Sequence, residues 1–234
     1  QGERCMAISV AVAIGDSADK LIENITPKIN NIKVGPYNDE TSDMGPVVSK
    51  DAYERINGLI ESGVEEGANL IVDRRNIKLQ GYENGYFIGP CLFDNVKDNM
   101  KIYKEEIFGP VLSIVRAKNY EEGLQLVKDN PYGNGCSIFT RDGDTARNFS
   151  SEANIGMVGV NIPIPVPVAY FSFGGWKNSI FGGHNAYGME AIRFYTHTKT
   201  ITSKWPEGIR SGAQFTMPTL LSLIHISEPT RRYA

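Results

Sequence analysis

The feature that most constrains this chain is an alternation of period between residues 111 and 160. A branched, apolar run, Val111-Leu112-Ser113-Ile114-Val115, gives way to a helical pattern over 120–128. The change recurs as Ser137-Ile138-Phe139-Thr140, a helix near 145–151, and Met157-Val158-Gly159-Val160. Short strands of period two interleaved with helices of period 3.6 bury their apolar faces when the helices cover a sheet. The expected fold class is α/β, with a largely parallel sheet and flanking helices.

The first hundred residues follow a similar grammar. A helix is expected from Asp16, with Leu21, Ile22, Ile25 and Ile29 at helical spacing and Pro27 as a bend or stop. Gly35-Pro36 and Gly45-Pro46 punctuate a loop. Ser49 is a good N-cap for a helix over 50–66 with Tyr53, Ile56, Ile60 and Val64 on one stripe, and Gly67 ends it. Leu70-Ile71-Val72 reads as a short strand, and Asp73-Arg74-Arg75 as a solvated turn. Residues 86–88 and 91–93 read as extended chain, with Cys91 as packing.

The chain opens on Gly2-Glu3-Arg4-Cys5, followed by small apolar residues over 6–13. Read as a helix start, this run would set unpaired N–H groups beside Cys5, and with Arg4 they would favour a thiolate. By itself a lone Cys in an apolar run is more often core. The bulk numbers exclude several classes. A net charge of −3 argues against a nucleic-acid surface. The three cysteines, Cys5, Cys91 and Cys136, are too far apart for a C-x-x-C pair, and the three histidines are scattered, so no metal site is expected. No apolar run approaches the ~20 residues that span a bilayer, so no membrane partner is expected.

A second segment changes the weight of the first. Tyr103-Lys104-Glu105-Glu106-Ile107-Phe108-Gly109-Pro110-Val111-Leu112 resembles the signature of the aldehyde dehydrogenase superfamily, and the Cys5 segment resembles its nucleophile motif. Gly45-Pro46, Gly81-Tyr82-Glu83-Asn84-Gly85, Asn130-Pro131-Tyr132-Gly133-Asn134-Gly135, residues 159–167 and Phe194-Tyr195-Thr196 extend the likeness over about the first 218 residues. Arg immediately before Cys is similar to the CoA-acylating, methylmalonate-semialdehyde branch.

The resemblance implies an aldehyde dehydrogenase catalytic domain over 1–192, an oligomerisation strand over 193–209 and an extension over 210–220. Residues 221–234 resemble translated sequencing adapter and are set aside. It also implies that the dinucleotide-binding domain and the oxyanion Asn lie upstream of Gln1 and are mostly absent. No G-x-G-x-x-G follows a strand-like run.

The chemistry it implies is NAD-dependent, with coenzyme A as cosubstrate and a small aldehyde as substrate. Cys5 is then the nucleophile, and Arg4 holds a substrate carboxylate. Glu106 accepts from the nicotinamide ribose hydroxyls and Phe108 packs near the nicotinamide. Asn161 lies near the substrate mouth. The Pro-alternating run over 162–167 is too poor in donors for a central strand and reads as a stiff loop, one wall of the pocket. The Gly-rich stretches near 173–175 and 181–183 read as tight turns. The parent is expected to be a homotetramer, cytoplasmic in a bacterium or in the mitochondrial matrix of a eukaryote. An enzyme releasing a free acid, or a non-catalytic fragment, are the alternatives.

Overall fold

The computed structural model describes residues 2–203. Its unit over Gln1–Tyr195 is built on a four-stranded sheet of order β1-β4-β3-β2. The strands are β1 (Val10–Ile14), β2 (Asn69–Val72), β3 (Cys91–Asp94) and β4 (Val111–Ala117). β1 and β3 pair parallel to β4, and β2 closes the edge antiparallel to β3. A helix covers each face: α1 (Ser17–Asn31) on one, α2 (Lys50–Glu65) on the other.

Side-chain alternation explains the layers. Cys91, Phe93, Val111 and Val115 face Ile56, Leu59 and Ile60 of α2, with the short helix α3 (Lys101–Lys104) adding Ile102. Leu92 and Ile114 face Ala18 and Ile29 of α1. Beside this body, the parallel pair β6 (Gly135–Ile138) and β7 (Met157–Val160) is covered by α4 (Tyr120–Asp129) and α5 (Gly143–Glu152), through Leu124 and Phe149, with Ile155 of the following loop joining them. Two short strands, β5 (Tyr132–Gly133) and β8 (Trp176–Lys177), pair antiparallel, and α6 (Gly188–Tyr195) follows.

The expected helices form, and α2 carries the cap and stop expected of it. The Ser49 hydroxyl accepts from Ala52 N–H at 3.1 Å, and Gly67, at φ +92°, turns the chain after α2. The buried stripe of α2 is Ile56, Leu59, Ile60 and Gly63, whereas Val64 faces solvent. α1 runs through Pro27, which sits on its exposed side; its apolar stripe against the sheet outweighs one missing donor.

Two expectations need correction. Residues 6–13 do not start a helix: they lead into β1, paired from Val10↔Ser113 to Ile14↔Ala117. Val10 and Val12 point to the α2 side while Ala11 and Ala13 point to the α1 side, a period of two that the small residues disguise. The charge run is a lock rather than a solvated turn. Arg74 donates to the carbonyls of Ile29 and Ile32 at 2.8 and 2.9 Å, closing the end of α1, and Arg75 bridges Asp73 and Glu61. The strand expected over 193–209 would pair with a neighbouring subunit rather than within this chain. Phe194 and Tyr195 end α6, and 196–203 carry no ladder. Alternating β-branched residues favour extended chain, but a ladder needs a partner for its N–H and C=O groups. Residues 204–209, the extension over 210–220 and the tail over 221–234 lie outside the described residues.

Candidate active site

Cys5 sits on a tight turn ahead of β1. Ala7 N–H donates to Arg4 C=O at 2.9 Å, closing residues 4–7 and presenting Arg4 and Cys5 side by side, both exposed. Three contacts hold this turn. Gly2, at φ +80°, lies against the Gly109 backbone so closely that a Cβ there would fall 1.9 Å from the Gly109 oxygen; only glycine fits. Glu3 Oε1 accepts from Val48 N–H at 3.1 Å. Asn134 Nδ2 donates to Met6 Sδ at 3.1 Å.

The second motif lies ahead of β4, the partner of β1. Arg55 of α2 donates to Glu106 C=O at 3.0 Å, Ile107 is buried, and a Cβ on Gly109 would meet Ile56 at 2.6 Å. The loop is thus pressed onto α2, leaving the Glu106 carboxylate exposed and Phe108 half-buried at φ +49°. The register pairs Val10 with Ser113. Cys5 precedes Val10 by five residues, and Phe108 precedes Ser113 by the same five. Both motifs therefore leave the sheet at the same end, on adjacent strands.

A third segment joins them. A Cβ on Gly135 would meet Met6 Cε at 3.0 Å and Pro165 Cγ at 3.1 Å, so the Pro-alternating run reaches the neighbour of Cys5. Asn161 does not offer its amide to this edge. At φ +56° it clamps the Thr140 backbone, accepting from its N–H and donating to its C=O, both at 3.0 Å.

The other thiols are set apart. Burial pushes Cys91 up to about 11 and raises Cys136, whereas Cys5 is the exposed one of the three. A shallow groove of about 500 Å³ between α4 and α5 shares no lining residue with the Cys5 turn. Among the described residues no cluster of His, Cys, Asp and Glu could hold a metal ion, and no helix is long and apolar enough to cross a membrane.

The sequence reading named Cys5, Arg4, Glu106 and Phe108 but missed Glu3–Val48, Met6–Asn134 and Arg55–Glu106. Each of these joins segments at least 45 residues apart, and only the motif residues Gly45-Pro46 and Asn130 to Gly135 hinted at two of them.

The aldehyde dehydrogenase family model matches residues 1–201. The chain belongs to the aldehyde dehydrogenase family. It is 54% identical over 221 residues to a malonate-semialdehyde dehydrogenase of Pseudomonas aeruginosa, covering 94% of this chain and 44% of the relative. It is 47% identical to the human mitochondrial methylmalonate-semialdehyde/malonate-semialdehyde dehydrogenase (acylating), covering 94% of this chain and 41% of the relative. Among solved structures it is similar to a Sinorhizobium meliloti protein assigned as a methylmalonate-semialdehyde dehydrogenase, complexed with NAD. There the TM-score is 0.86 at 62% identity, over 90% of this chain and 43% of that one. This aldehyde dehydrogenase chain thus spans less than half the length of the curated relatives it matches.

Proposed function

We propose that this chain carries the nucleophile of a NAD-dependent, CoA-acylating dehydrogenase for methylmalonate semialdehyde or malonate semialdehyde. The products are propionyl-CoA or acetyl-CoA, with carbon dioxide. The observation that carries this reading is the packing of Gly2 on Gly109, which sets the Cys5 turn beside the loop of Glu106 and Phe108.

In this reading the Cys5 thiolate attacks the aldehyde carbon, forming a thiohemiacetal, and its own backbone N–H donates to the oxyanion. Arg4 grips the carboxylate at the other end of the substrate. Its guanidinium has no ion-pair partner among the described residues, and a planar fork matches a carboxylate bidentately. Glu106 fits the ribose end of the dinucleotide, since its side chain lies on an exposed residue and a carboxylate can accept from two vicinal hydroxyls. Phe108 supplies an apolar surface beside it. NAD, when bound, accepts the two electrons of the oxidation. Cys5 then holds the acyl group as a thioester, decarboxylation releases carbon dioxide, and the coenzyme A thiol displaces Cys5.

The complete protein is proposed to be a homotetramer, and the 234-residue chain alone to lack turnover. Two measurements test the reading. With the complete protein, malonate semialdehyde and NAD, acyl-CoA should form only when CoA is present; a free acid formed at equal rate with or without CoA overturns the acylating assignment. Titrating NAD into the 234-residue chain should give no tight binding, and tight binding would overturn the expectation that most of the dinucleotide pocket lies elsewhere.

A further inference from the structure

The Cys5 turn and the Glu106 loop share one support. Val48, whose N–H meets Glu3, directly precedes the Ser49 cap of α2. That N–H is presented by fixed backbone: Val47 is buried and donates to Tyr86 C=O at 2.9 Å, and Ser49 is locked as the cap. One turn into the same helix, Arg55 holds the Glu106 carbonyl and Ile56 lies under Gly109. A carboxylate at this end of α2 also sits at the positive end of the helix dipole. Met6 and Gly2 brace the turn from other sides, whereas the Glu3 side chain ties it to the entry of α2.

We propose that Glu3 is a positioning residue: its carboxylate, seated on the Val48 N–H at the foot of α2, sets the Arg4–Cys5 turn in register with the Glu106 loop. The inference rests on the reading of Cys5 and Arg4 as nucleophile and carboxylate holder. It does not require Glu3 to touch substrate.

The test separates acceptor from charge. Glu3→Gln and Glu3→Ala both remove the charge, but only the first keeps an oxygen for Val48. Cys5 is alkylated in each variant with iodoacetate, an anion that Arg4 attracts, and with neutral iodoacetamide. The ratio of the two rates reads how Arg4 is placed against Cys5. The ratio in E3A should fall about five-fold below that in E3Q, the scale of one lost hydrogen bond. Amide exchange at Val48 should be slow in the wild type and E3Q and fast in E3A. Equal ratios and equal Val48 exchange in E3A and E3Q overturn the proposal. Buried Cys91 reports the fold: if it becomes reactive in E3A, Val48→Pro, which deletes the donor and leaves Glu3 in place, decides by the same ratio. Should Arg4→Gln leave the ratio of the wild type unchanged, the carboxylate role of Arg4 fails, and Val48 exchange still judges Glu3.

Discussion

Cys5 and Arg4 are neighbours in sequence, yet what matters is that both face outward from one turn while Cys91 is buried and Cys136 half-buried. In the complete protein, Cys5→Ser should abolish NADH formation from every aldehyde, because a serine hydroxyl without a base is a poor nucleophile. Retained turnover would remove Cys5 from the chemistry. Arg4→Gln should raise KM for the carboxylated aldehyde by about 10- to 100-fold, the loss of a charge-assisted contact, and change KM for propanal little. Equal changes for both substrates would dismiss the carboxylate role. The string itself is legible in the sequence, because a motif of four residues is local; the roles proposed for Arg4 and Cys5 are what these variants test. Asn161 shows the limit of that legibility. Its position in a motif suggested the substrate mouth, but a left-handed backbone and two bonds to Thr140 commit its amide to closing the ends of β6 and β7.

Among elements, α2 has the most consequences, since it covers one face of the sheet and holds both loops of the candidate site. Ser49→Ala should cost about 1 kcal/mol. Thermal melting should show this as a drop of about 2–4 °C. An unchanged melting temperature would mean that water or a neighbour replaces the cap. α1 depends on a distant residue instead: Arg74→Met strips two carbonyls at its end of their donor and should cost about 1–3 kcal/mol in urea unfolding. A loss below that range would return the charge run to a solvated turn. The helices were readable because apolar spacing and caps lie within one segment. β1 was not, because Ala and Val at 10–13 satisfy either period until β4 is placed beside them. The segment after α6 alternates in the manner of a strand, but its expected ladder partner belongs to another subunit, so its pairing is not encoded within this chain.

Across the whole molecule, the buried carboxylate of Asp94 on β3 links the sheet to α1. Burial alone would raise its pKa, but Arg116, which donates to it at 3.0 and 2.8 Å and also reaches Asp19, outweighs burial and holds the carboxyl below its ordinary 3.8. A lowered carboxylate stabilises the fold above its unfolded value, and that contribution disappears as pH falls through the folded value. Urea unfolding should therefore show stability falling as pH drops below 3.8, with a shallower acid limb in Asp94→Asn. Identical limbs would show that other groups govern acid unfolding. The amino-acid sequence by itself determined the α/β class, the helices α1, α2, α4 and α5 with the Ser49 cap of α2, and the Arg4–Cys5 and Glu106–Phe108 strings, because each is encoded within one turn or one strand. Only the tertiary structure decided that residues 3 and 48, 2 and 109, and 55 and 106 meet. Such contacts follow from strand register and helix placement across many residues, and no local period records them.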